Sequence, residues 1–167
     1  MERMEPPDLH ALTAAVGWLE LGNASEAEAE LAGISPENQH HPDTLEVRWA
    51  ILAHTHRWET ALETARALLD QAPNRSSAWL HHAYALRRVP EGGIQKAWEA
   101  LLPAYERFPK EATIPYNLSC YACQLEQLEA ARVWLRRALH LGDRETIKQM
   151  ALEDRDLEPL WEEIRHL

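Results

Sequence analysis

The chain has 167 residues, of which 46% are apolar, and a net charge of −10. That length suits one domain or a short repeat array, and the apolar content is enough for a sizeable core. No run of about 18 apolar residues occurs, which excludes a helical membrane span, and the acidic balance disfavours a general nucleic-acid partner.

The charge is unevenly spread. Residues 1–45 hold nine acidic and one basic residue, residues 46–148 twelve acidic and fourteen basic, and residues 149–167 six acidic and two basic. Acidic ends fit a stacked array whose terminal units need polar outer faces. The opening MERMEPPD is charged and carries no apolar segment, so no secretory signal is expected. With only two cysteines besides, a reducing, cytoplasmic setting is expected.

Residues 1–7 are expected to form a flexible N-terminus. A first helix is predicted from Asp8 to Leu21, with Leu9, Leu12, Val16 and Leu19 as its apolar face and Trp18 alongside. Gly22-Asn23 should end it in a left-handed cap. Ser25 with Glu28 reads as a capping box for a second helix reaching about Gly33. Helices then follow at about Asp43–His56, Trp58–Gln71, Ser76 or Ser77 onward, Ile94–Phe108, Ala112–Leu125 and Leu128–Leu141. Gly142-Asp143 should stop the last of these. The remainder reads as a short helix, a turn at Asp154–Asp156 and a final helix with Leu157, Leu160, Trp161 and Ile164 apolar, expected to cover the open face of the last repeat.

An internal period runs through these helices. Ala61, Ala65, Leu68 and Pro73 are echoed by Ala97, Leu101, Ala104 and Pro109, and again by Ala131, Leu135 and Ala138. The leading alanines Ala61, Ala97 and Ala131 lie 36 and then 34 residues apart. Small residues three and four apart share a helix face and let a neighbouring helix approach closely. The proline then stops the helix. A period near 34 with this content signals helical hairpin repeats.

With Ala61, Ala97 and Ala131 as the first alanine of each second helix, the chain resembles the tetratricopeptide repeat (TPR) proteins. Trp79 stands where that family favours Trp, Ala83 and Ser119 where it favours small residues, and Pro73 and Pro109 at its closing proline. Trp49, Pro115 and Asp143 depart from the pattern. The resemblance implies an all-α fold, an α-α superhelix of about four hairpins at residues 8–36, 41–74, 75–109 and 111–143, with capping helices over 144–167. It implies a non-catalytic protein–protein interaction module, an adaptor, scaffold or chaperone-like protein, that takes a partner peptide in a concave groove. Carrying over the family's groove positions gives Leu12, Val16, Ala50, His54, Leu80, Tyr84, Arg87, Arg88, Tyr116, Cys120 and Gln124, together with Leu19, Glu46, Ala53, Thr113 and Cys123. Such a surface suits a protein segment with apolar anchors and an acidic group. The five-residue clamp by which some co-chaperones of this family grip an acidic tail is replaced here by Leu12, Val16, Val47, Ser77 and His81, which disfavours that ligand.

Two other readings compete with this one. A subunit of a larger assembly would dock through Trp98 or Trp134 on the convex side. A thiol or metal enzyme would use Cys120 and Cys123, a C-x2-C pair on one helical face. Zinc wants four ligands and no second pair exists, and a redox dithiol sits at a helix N-terminus rather than mid-helix. Adjacent His81 and His82 point about 100° apart and cannot easily share an ion. Gly92-Gly93-Ile94-Gln95-Lys96 lacks the ending of a phosphate loop. No catalytic residue, metal ligand or cofactor is expected, and no nucleic-acid or membrane partner. Trp18, Trp49, Trp58 and Trp79 fall at packing positions and are expected in the core.

Overall fold

The computed structural model describes residues 4–166, all of them in helices or the turns between them. The chain divides into two compact units that meet between Val89 and Pro90.

The first unit holds α1 (Pro6–Glu20), α2 (Ala24–Ala32), α3 (Pro42–His54), α4 (Trp58–Gln71) and α5 (Ser76–Leu86). Neighbours pack in succession, α1 on α2, α3 on α4 and α4 on α5. The alanine spacing explains the closeness: Ala61 and Ala65 are fully buried, as are Ala15, Ala27, Ala78 and Ala85. Larger side chains such as Leu31, Leu45, Ile51, Leu62 and Leu68 fill the space between helices. Each such leucine contributes roughly 1.5–3 kcal/mol by leaving water.

The second unit holds α6 (Ile94–Arg107), α7 (Thr113–Gln124), α8 (Leu128–Leu141), α9 (Arg144–Glu153), a 3-10 helix over Arg155–Leu160 and α10 (Trp161–Arg165). The same pattern is buried here: Ala97, Leu101, Ala104, Ala131, Leu135 and Ala138. Small Ser119 on α7 is also buried, and its hydroxyl donates to the Ala131 carbonyl at 2.8 Å. Where α8 turns into α9, Gly142 lets Ile147 pack close: a Cβ there would lie 2.6 Å from Ile147 Cδ1, which would have to shift. Asp143 then caps α9, accepting from the Thr146 N–H at 2.9 Å.

The turn between the two helices of a hairpin repeats its backbone. Gly22, His56 and Glu126 all have positive φ, at 76°, 58° and 60°. Glycine adopts that region freely, whereas His56 and Glu126 are strained there.

Several sequence expectations are corrected. The helix α1 begins at Pro6, and Met4 is buried, so the flexible segment does not extend over residues 4–7; residues 1–3 lie outside the described residues. The buried face of α1 is Asp8, Leu12 and Ala15, while Leu9, Val16 and Trp18 are exposed. The reason is Asp8. Its carboxylate accepts from the Ser35 N–H at 3.0 Å, the Ser35 hydroxyl and the Asn38 amide at 2.7 Å, which turns this polar residue inward. Those bonds hold the Asp8 carboxyl below its ordinary range. The cap of α2 is Asn23, which accepts from the Glu26 N–H at 3.3 Å, rather than Ser25. The tail after Asp154 opens with a 3-10 turn, not a regular helix. Trp134 is buried, edge-on to Tyr105 at 4.9 Å, and so offers no exposed docking residue.

Candidate binding face

In the first unit, the polar and aromatic residues of α3, α5 and the start of α4 form one cluster. Helical spacing assembles it: Glu46 and Trp49 are three apart on α3, and Ser77, His81, Tyr84 and Arg88 follow each other by four, three and four across α5 and its end.

Trp49 stacks on His81 with ring centres 3.8 Å apart and planes within 11°. Tyr84 meets Trp49 edge-on at 5.9 Å and Trp58 at the same separation. The Arg88 guanidinium carbon lies 3.5 Å from the Tyr84 ring centre and 4.8 Å from that of Trp58. Such cation–π contacts are worth roughly 0.5–2 kcal/mol. Arg88 also donates to the Tyr84 carbonyl at 2.8 Å, which fixes the stack to the helix end.

The floor of the cluster is anchored by Glu46. Its carboxylate lies 2.7 Å from His81 Nε2, accepts from the Ser77 hydroxyl at 2.5 Å and sits 3.8 Å from Arg75. Burial opposes its ionisation. The hydrogen bonds from His81 and Ser77 and the positive charge of Arg75 outweigh that, and the Glu46 carboxyl lies below its usual range.

The expected groove residues divide in two. Ala50, Leu80, Tyr84, Arg87 and Arg88 are half-buried and His54 is exposed. Of these, Tyr84 and Arg88 belong to the ring cluster. Leu12 is in the core, and Val16 is exposed on α1. In the second unit Tyr116, Cys120 and Cys123 are buried, against the expectation of open groove residues, while Thr113 and Gln124 are exposed. The physical reason is the chain's own tail. Asp154 accepts from the Tyr116 hydroxyl at 3.1 Å and from Cys120 Sγ at 3.5 Å, and Gln124 Nε2 donates to the Asp156 carbonyl at 3.3 Å. Leu157 and Leu160 lie buried in the 3-10 turn that follows.

Both cysteines are buried and neither is in a disulfide. Burial and the nearby Asp156 push the Cys123 thiol up, which makes it a poorer nucleophile. Cys120, Asp154 and Asp156 bring donor atoms within 4.8 Å of one another. The Asp154 carboxylate is already engaged by Tyr116, Cys120 and the Asp156 N–H at 3.0 Å, so its lone pairs serve the fold.

His81 and Trp58 were not among the expected site residues. Their signal was available in the i, i+4 spacing of Ser77 and His81 and in the aromatic that opens α4, but both types also occur as plain packing residues.

No protein-family profile matches this chain, and no curated protein matches it. Solved structures do. A thermophilic TPR protein of Thermus thermophilus is 19% identical over 94% of this chain and 82% of its own, with a TM-score of 0.76. MamA 41-end from Desulfovibrio magneticus RS-1 is 20% identical over 99% and 97%, with a TM-score of 0.70. The MamA RS-1 ArsTM double mutant is 16% identical over 80% and 74%, with a TM-score of 0.67. The chain therefore has the all-α hairpin-repeat fold of the tetratricopeptide repeat proteins. No helix among the described residues is long and apolar enough to cross a membrane.

Proposed function

We propose that this chain is a non-catalytic protein-binding module whose contact surface is the α3 and α5 face of the first unit. The observation that supports this most is the stack of half-exposed His81, Tyr84, Trp58 and Arg88 on the buried Trp49 ring. Rigid aromatic rings with polar edges are common anchors at interfaces, because they offer large contact area at low entropic cost. Arg87 and Arg88 add two guanidinium charges at the end of α5, suited to carboxylates. The partner is a protein segment with an apolar anchor for the Tyr84 and Trp58 edges and an acidic group for the arginines. A face whose rings are already ordered lowers the cost of binding an extended or helical segment.

The test compares wild type with a Tyr84→Ala, Arg87→Glu, Arg88→Glu variant, shown by circular dichroism to remain helical, in affinity capture from the host extract. A protein captured by wild type and lost from the variant supports this reading. Identical capture by both assigns binding to another surface.

A further inference from the structure

A second feature of the first unit is a cleft of about 380 Å³ between α2, α3 and α4. Leu31, Ala32, Ile51 and Leu52 form its apolar side, Glu28, Gln39 and Thr60 its polar rim, and two arginines reach it, Arg48 and Arg57. That volume is within the usual range of small-ligand sites.

The charges in the cleft do not cancel. Arg57 pairs with Glu28 and also donates to the Thr55 hydroxyl at 2.9 Å. Arg48 is half-buried and has no carboxylate partner among the described residues. It donates instead to the Gln39 carbonyl at 3.0 Å and to Gln39 Oε1 at 2.5 Å. Gln39 in turn donates its amide to the Leu31 and Ile34 carbonyls, at 3.0 Å and 2.7 Å. That chain of bonds holds the guanidinium in place at the C-terminal end of α2. It uses two of the five N–H donors of Arg48 and none of its charge. Burial pushes the Arg48 guanidinium down from its ordinary value, a sign that water is partly excluded from it.

A fixed, partly desolvated cation beside apolar walls matches one class of ligand. We propose that this cleft binds the carboxylate of a ligand with a short apolar body, with Arg48 as the ion-pair partner and Ala32 and the exposed edges of Leu31 and Leu52 against the apolar part. One net positive charge favours a monoanion. A dianionic phosphate would leave a charge uncompensated, with Glu28 close by. The carboxylate comes either from a free short-chain acid or from the C-terminal residue of a peptide. The site is separate from the α3 and α5 face and stands or falls independently of it.

The full chain, isotope-labelled, is titrated with hexanoate, hexanamide and N-acetyl-leucine while backbone amides are followed by nuclear magnetic resonance. Saturable shifts at Leu31, Ile51 and Thr60 are expected. Hexanoate should bind at least roughly tenfold more tightly than hexanamide, since a charge-assisted pair replaces a neutral one. Arg48→Gln should erase that preference. Because Arg48 also braces Gln39, Ala32→Phe provides a second variant: Ala32 is exposed on the rim, and the larger ring should fill the cleft and abolish binding. Tighter binding of N-acetyl-leucine points to a peptide terminus, and tighter binding of hexanoate to a free acid. Equal affinity for acid and amide, hexanoate binding that survives Ala32→Phe, a folded Arg48→Gln protein that keeps the preference, or no saturable shift would each overturn the proposal.

Discussion

The α5 face of the first unit and the α7 face of the second occupy matching places in the repeat pattern, yet they end differently. At corresponding positions α5 carries Leu80, Tyr84 and Arg88, and α7 carries Tyr116, Cys120 and Gln124. On α7 the chain's own Asp154 and Asp156 supply hydrogen-bond acceptors, and Tyr116 and Cys120 are lost from the surface. On α5 the polar groups are satisfied sideways, Arg88 by the Tyr84 carbonyl and ring, and the aromatic edges stay half-exposed. The repeat frame therefore specifies which residues share a face, and the segment laid over that face decides whether it can meet a partner.

Substitutions can break each side of this comparison. The largest effect is expected from Trp49→Ala, which removes a buried ring stacked on His81 and edge-on to Tyr84. It should cost about 3–5 kcal/mol in urea unfolding, and a loss under 1 kcal/mol would show that the stack contributes little. In the second unit, Leu157→Ala empties a fully buried site in the covering turn and should cost about 2–4 kcal/mol. It should also expose Cys120 and Cys123 to a thiol reagent that leaves wild type unmodified. Thiols that stay protected in the variant would mean that something other than this turn shields α7.

A smaller effect concerns acid. Because the folded carboxyl of Glu46 titrates below its ordinary value of 4.5, its stabilisation is present above that pH and is lost as pH falls through the lower, folded value. Unfolding midpoints measured downward from pH 7 should show a shallower acid limb for Glu46→Gln than for wild type. Superimposable limbs would contradict the anchoring role assigned to this carboxylate. The smallest effect is at the hairpin turns. His56→Gly and Glu126→Gly relieve positive φ at 58° and 60°, and each should raise stability by about 0.5–1 kcal/mol.

The hairpin frame was legible in the sequence because it is local. The spacing of Ala61, Ala65 and Leu68, and its echoes, marks helix faces that pack, and the helices Trp58–Gln71 and Leu128–Leu141 have the predicted bounds. What was not legible depends on contacts distant in sequence. Asp8 turns inward because Ser35 and Asn38 meet it, and that rotation leaves Trp18 exposed. The acidic tail was expected to cover the last repeat, but its acceptors face Tyr116 and Cys120, which a position-by-position transfer assigned to a partner. Periodicity identifies a face and is silent on its occupant.

The claim that the α3 and α5 face is the contact surface is tested most directly by photo-crosslinking. A photoreactive amino acid is placed at His54 in one protein and at Gln124 in another, both exposed positions, and each is irradiated in the host extract. The account predicts a discrete protein adduct from position 54 that Tyr84→Ala removes, and none from position 124. An adduct from position 124 alone, or one at position 54 indifferent to Tyr84→Ala, would contradict it.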